Sequence, residues 1–166
     1  VSSWPENPVL EQITGFLDRV GIEWKIADLP EGEFLPGVHL EDGALLIDPA
    51  RLQWPGDLLH EAGHIAVSPP SVRAAQNGKL EVSPADEMAA MAWSYAAAVE
   101  CGIDPSIVFH EGGYRSGGAQ LAAQYSAGQG VGIPMLRWYR MTHDFPRMAS
   151  WLREIEDPTA DASQTH

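Results

Sequence analysis

The sequence predicts a single α+β domain. Three observations point there. Apolar residues recur at helical spacing from Val9 to Val20, alternate at strand spacing in short segments between Ile22 and Ile47, and return to helical runs after Pro55. A chain of 166 residues is long enough to bury one core, and no internal repeat divides it.

Asn7 and Pro8 open the first helix as N-cap and first helical residue. Leu10, Ile13, Phe16, Leu17 and Val20 form its apolar stripe, and Gly21 closes it. Ile22, Trp24 and Ile26 alternate with Glu23 and Lys25 as a half-buried strand. Val38-His39-Leu40 and Ala44-Leu45-Leu46-Ile47 flank Glu41-Asp42-Gly43, a hairpin signal. A small, antiparallel-leaning sheet is therefore expected just before the next helix. That helix runs from about Pro55 to Val67, and Pro69-Pro70 stops it.

Ser71 to Val82 reads as a polar loop with a turn at Asn77-Gly78. Ser83-Pro84-Ala85-Asp86 opens a third helix with an S-x-x-D capping box. This helix is rich in alanine and ends at Gly102, and its small side chains permit close approach of a neighbour. Asp104-Pro105 starts a short helix, Gln120 to Ser126 is helical, and Gly128 to Gly132 reads as a mobile loop. Pro134 to Met141 and Pro146 to Ile155 are each expected as helices with proline at the first position. Residues 158–166 read as a flexible polar tail, which leaves 1–157 as the domain.

Twenty-three acidic residues against ten basic ones give a formal net charge of −13, which argues against a nucleic-acid partner. The single cysteine, Cys101, excludes an intramolecular disulfide and reads as a small buried hydrophobe. No apolar run is long enough to span a bilayer, and Val1 to Pro5 lack the regions of a signal peptide. The expectation is a cytoplasmic protein without a membrane partner.

The chemistry is concentrated in His60-Glu61-Ala62-Gly63-His64, an H-E-x-x-H motif flanked by Leu58-Leu59 and Ile65-Ala66-Val67. Residues four apart share a helix face, so His60 and His64 can offer two imidazoles to one Zn²⁺. Glu61 is then placed to reach a water at the metal and act as general base. This is the zincin signature. The apolar flanks set it apart from a chance arrangement on a solvated helix face.

A catalytic zinc takes a third protein ligand. The extended H-x-x-G-x-x-H form is absent, because Ser68-Pro69-Pro70 follows the motif. Glu87, in the first turn of the alanine-rich helix, is the favoured carboxylate, since the capping box assigns Asp86 to the backbone. The alternative is that Glu87 only complements the helix dipole. Glu100 and Glu111 are more remote candidates.

Leu35-Pro36-Gly37, the hairpin, Leu46-Ile47-Asp48 and the motif helix together resemble the ImmA/IrrE-type zinc metallopeptidases, which are gluzincins. Glu87-Met88-Ala89-Ala90-Met91-Ala92-Trp93 matches their downstream E-x-x-A-x-x-[FW] segment. The resemblance spans about Asn7 to Cys101. It implies His60, His64 and Glu87 as ligands of one zinc per chain, with Glu61 as base. Met91 stands where that family often has Asn, and the family's helix-turn-helix partner domain is not visible.

The expected architecture is therefore a small zincin-like domain, with a short sheet before the motif helix, then the Glu87 helix, then a helical C-terminal part. The expected activity is hydrolysis of a peptide bond in a protein or peptide. The rival is a zinc-binding regulatory or interaction domain without turnover, which the intact Glu61 disfavours. His110, Tyr114 and Tyr125 are candidates for polarising a carbonyl or stabilising an oxyanion. The glycine-rich stretch from Glu111 to Gly132 is expected to border the cleft.

Overall fold

The computed structural model describes residues 8–31, 35–75, 83–110 and 117–157. The chain has an α+β fold. Helix α1 (Pro8–Val20) buries Leu10, Ile13, Phe16 and Leu17. Three strands follow: β1 (Trp24–Ile26), β2 (Val38–Glu41) and β3 (Ala44–Ile47). Asp42 and Gly43 both take positive φ, 51° and 76°, as the tight hairpin between β2 and β3 requires. β3 is central and pairs antiparallel with β2 but parallel with β1, in the order β1-β3-β2. The sheet is thus mixed. The parallel pair arises because the long connection after β1 returns the chain to the far side of β3.

Helix α2 (Asp57–Val67) starts two residues later than expected. Pro69 stops it, but Pro70 opens a further short helix, α3 (Pro70–Arg73), as a first-position proline can. Helix α4 (Pro84–Cys101) has Ser83 as N-cap and Gly102, in the left-handed region, at its end. Ala89, Ala90, Ala92, Ala96, Ala97 and Ala98 are all buried on it. The Asn7 cap, most of the 71–82 loop and the 158–166 tail lie outside the described residues.

Among the described residues, a 3₁₀ turn (Pro105–Ile107), α5 (Gly118–Ser126) and α6 (Ile133–Trp138) complete the helical part. Two expectations need correction. Pro146 to Ile155 is not a helix. Pro146, joined to Phe145 by a cis peptide bond, sits in the turn of a hairpin formed by β4 (Thr142–Asp144) and β5 (Arg147–Met148). Gly128 to Gly132 is packed, not loose. A β-carbon on Gly132 would stand 1.9 Å from the Met88 carbonyl oxygen, and the Tyr125 hydroxyl donates to the Val131 carbonyl at 2.8 Å. Only a residue without a side chain fits so close to α4.

Among the described residues the core has two aromatic centres. Phe16, Trp93 and Trp151 meet mostly edge to face, with centroids 4.9 to 5.8 Å apart. The Trp93 indole also donates to the Trp151 carbonyl at 2.9 Å. Tyr95, Phe109, Tyr125 and Phe145 form the second. Helix α2 lies against α4, and this contact sets the site.

Candidate metal centre

His60 and His64 stand one turn apart on α2, and Glu87 lies in the first turn of α4. The two imidazole planes are nearly perpendicular, at 88°, with centroids 4.8 Å apart. Their Nε2 atoms are 3.2 Å apart. Glu87 Oε1 is 3.1 Å from His60 Nε2, and Glu87 Oε2 is 3.1 Å from His64 Nε2. An oxygen of Glu61 joins the histidine nitrogens within 4.8 Å. His64 is buried, while Glu87 is half exposed, so the cluster opens to solvent on the α4 side.

These spacings fit a small tetrahedral cation. Four ligands about 2.0–2.1 Å from zinc stand roughly 3.3 Å from one another, close to the separations of the three donor groups. Two nitrogens and a carboxylate are also a donor set that Zn²⁺ accepts.

The electrostatics agree with that geometry. Hydrogen bonds from His60 and His64 hold the Glu87 carboxyl well below the usual carboxylate range. Burial lowers the His60 pKa, but the hydrogen bond and charge of Glu87, with the charges of Glu61 and Asp57, outweigh it and leave it raised. Glu61 is raised by burial, against the opposing pull of His64 and His60. A carboxylate shifted upward beside two imidazoles is what a general base near neutral pH needs.

The sequence reading missed Asp57. It is the first residue of α2, one turn before His60, and its Oδ1 lies 2.7 Å from His110 Nε2. Trp54 stacks on the His110 ring at 4.3 Å and 9°. Among the described residues, the buried side-chain atoms that lack a hydrogen-bond partner are Asp57 Oδ2, His64 Nδ1 and His110 Nδ1. All belong to this corner of the molecule. Unmet polar atoms are rare in native interiors and concentrate where a fold is built for something other than stability. The D-x-x-H spacing of Asp57 and His60 was the available signal, since it places both on one helix face.

His110 is thus engaged with Asp57, and Tyr114 lies outside the described residues. Tyr125 is fully buried with its hydroxyl committed to Val131, so it is a core residue and not a donor at the cleft. Burial also raises its phenol pKa. Asp86 departs from the capping box. Ser83 Oγ accepts from the Asp86 backbone N–H at 3.1 Å, but the Asp86 carboxylate accepts from the Tyr139 hydroxyl at 2.5 Å. Residues 111–116 of the glycine-rich stretch lie outside the described residues, while its far end packs on Met88, next to Glu87. A pocket of about 520 Å³ opens there, between Met88, Gln124, Val131 and Met135.

Comparison with known protein families, curated proteins and solved structures finds no match to this chain. No helix among the described residues is long and apolar enough to cross a membrane.

Proposed function

We propose that this protein is a zinc-dependent metallopeptidase of the zincin type, related to the ImmA/IrrE-type gluzincins. The observation that carries the reading is the convergence of His60, His64 and Glu87, from two helices, at mutual separations of 3.1 to 3.2 Å. His60, His64 and Glu87 would hold the ion. When bound, Zn²⁺ supplies a Lewis acid that polarises a carbonyl and lowers the pKa of water toward ~7.

The chain's own residues supply the rest. A Glu61 carboxylate oxygen takes a proton from the attacking water and delivers it to the nitrogen of the leaving amine. Its upward-shifted pKa favours the first of these transfers, the uptake of the proton. The substrate class is a peptide bond in a protein or peptide.

Elemental analysis of the purified chain should give about one zinc per molecule, lost in His64→Ala. Glu61→Gln should keep the zinc and the fold but lose nearly all hydrolysis, because Gln cannot accept the proton. Equal metal in wild type and His64→Ala would sink the metal site. Peptidase activity surviving in Glu61→Gln would sink the base.

A further inference from the structure

The C-terminal segment touches both ligand-bearing helices at the ends nearest the ligands. On α4, the Tyr139 hydroxyl donates to Asp86, the residue before Glu87. On α2, the Arg153 backbone N–H donates to the Ala66 carbonyl at 2.8 Å, and Arg153 Nη1 donates to the Val67 carbonyl at 3.2 Å. These carbonyls are two and three residues past His64. The two contacts also meet each other, since the Arg153 guanidinium carbon lies 4.0 Å from the centroid of the Tyr139 ring. Asp86, Tyr139, Arg153 and the end of α2 thus form one unbroken chain of contacts.

This chain is shielded from solvent. Arg153 is 5% exposed and Tyr139 is 7% exposed. Arg153 Nε and Nη2 are held in turn by the carbonyls of Ile155 and Glu156, and Arg73 donates to the Arg153 carbonyl. The last carbonyls of a helix have no partner within it, and a cation there also meets the negative end of the dipole. Arg153 therefore fixes the last turn of α2, while Tyr139 fixes the first turn of α4. Burial, and then Asp86, push the Tyr139 phenol up to about 12, so it remains a donor.

We propose that Tyr139 and Arg153 are positioning residues for the metal centre, setting the spacing of Glu87 from His60 and His64. This rests on reading those three residues as ligands. The brace touches none of them directly. It acts through helix position, to which a site needing ligand distances within about 0.2 Å is sensitive.

The test is zinc affinity of the full chain, measured with Zn²⁺ against a chromophoric chelator. Tyr139→Phe keeps the ring under Arg153 and removes the hydroxyl that bonds Asp86 and also meets the Arg153 side chain. It should weaken zinc about 10-fold, the lower end of what outer partners of metal ligands cost. In a Glu87→Gln background the same change should have no further effect, because the brace then has no ligand to position. Arg153→Leu should weaken zinc more wherever it folds. Thr142→Val is the control. It deletes a buried hydroxyl bond, 2.6 Å to the Arg147 carbonyl, in the neighbouring hairpin, and should leave zinc affinity unchanged. Wild-type affinity in Tyr139→Phe, or an equal loss in Thr142→Val, would overturn the proposal and leave the metal reading standing. A wild-type chain that takes no zinc would overturn both.

Discussion

The backbone of Gly63 lies against Ala90: a β-carbon at position 63 would stand 2.8 Å from the Ala90 carbonyl oxygen. Gly63 sits inside the motif, just before His64, and Ala90 sits one turn past Glu87. Closeness of the two backbones is what brings Glu87 within 3.1 Å of both histidines.

Gly63→Ala should therefore separate the helices. Alanine gains ~1 kcal/mol over glycine in a helix interior, but a clash with a backbone carbonyl cannot be relieved by a rotamer. Overpacking of this kind costs about 1–3 kcal/mol, so a net loss of stability is expected, with zinc affinity falling as well. Thermal denaturation and chelator competition check both. An unchanged melting temperature with undiminished zinc affinity would contradict the close contact.

Without metal, the site has a pH signature of its own. Glu87 is depressed below its ordinary 4.5, chiefly by the hydrogen bonds of His60 and His64, so its stabilisation is present above that value and is lost as pH falls. His60 is raised above its ordinary 6.5, Glu87 having outweighed burial, so its stabilisation is present below that value and is lost as pH rises. The shared window lies between those two values. In metal-free protein, the stability difference between wild type and Glu87→Gln should peak there and shrink on either side. It should be modest, since Glu87 is 43% exposed and solvent screens the pair. A difference that stays flat across the window and beyond it would refute the pairing.

Asp57→Ala should leave the His110 ring buried against Trp54 without its partner. Removing one member of a buried pair typically costs about 3–5 kcal/mol. The melting temperature should fall sharply while the proposed binding of one zinc is kept, because neither residue is among the proposed ligands. Loss of zinc in a variant that remains folded would show that Asp57 acts on the metal itself.

Much of the site could be read from local sequence because its parts are local. His60, Glu61 and His64 lie within five residues, and their geometry follows from helical spacing alone. Ser83, by its capping hydroxyl, and Gly102, by its left-handed backbone, marked the ends of α4 through local chemistry that distant neighbours do not alter. Asp86 shows where this stops. The capping box predicts a partner three residues away, and the carboxylate instead bonds Tyr139, 53 residues on. Likewise, Pro146 fits a helix start and a hairpin turn equally well in local terms. Packing of Phe145 and Met148 on the core decides for the turn. The parallel pairing of β1 with β3 was equally hidden, since hydrophobic alternation says nothing about strand direction.

The bond from Arg153 to Val67 spans 86 residues. During synthesis from the N-terminus, the motif helix therefore leaves the ribosome long before the group that completes its last turn exists. At about 5–20 residues per second, that interval lasts roughly 4–17 s, far longer than the microsecond or less in which a helix forms. Throughout it, a nascent chain already carries both histidines but lacks the contact that closes their helix. On the proposed metal-binding reading, an ion captured during this interval would be held by an unfinished site, so the order of synthesis favours loading late, after the segment around Arg153 has docked.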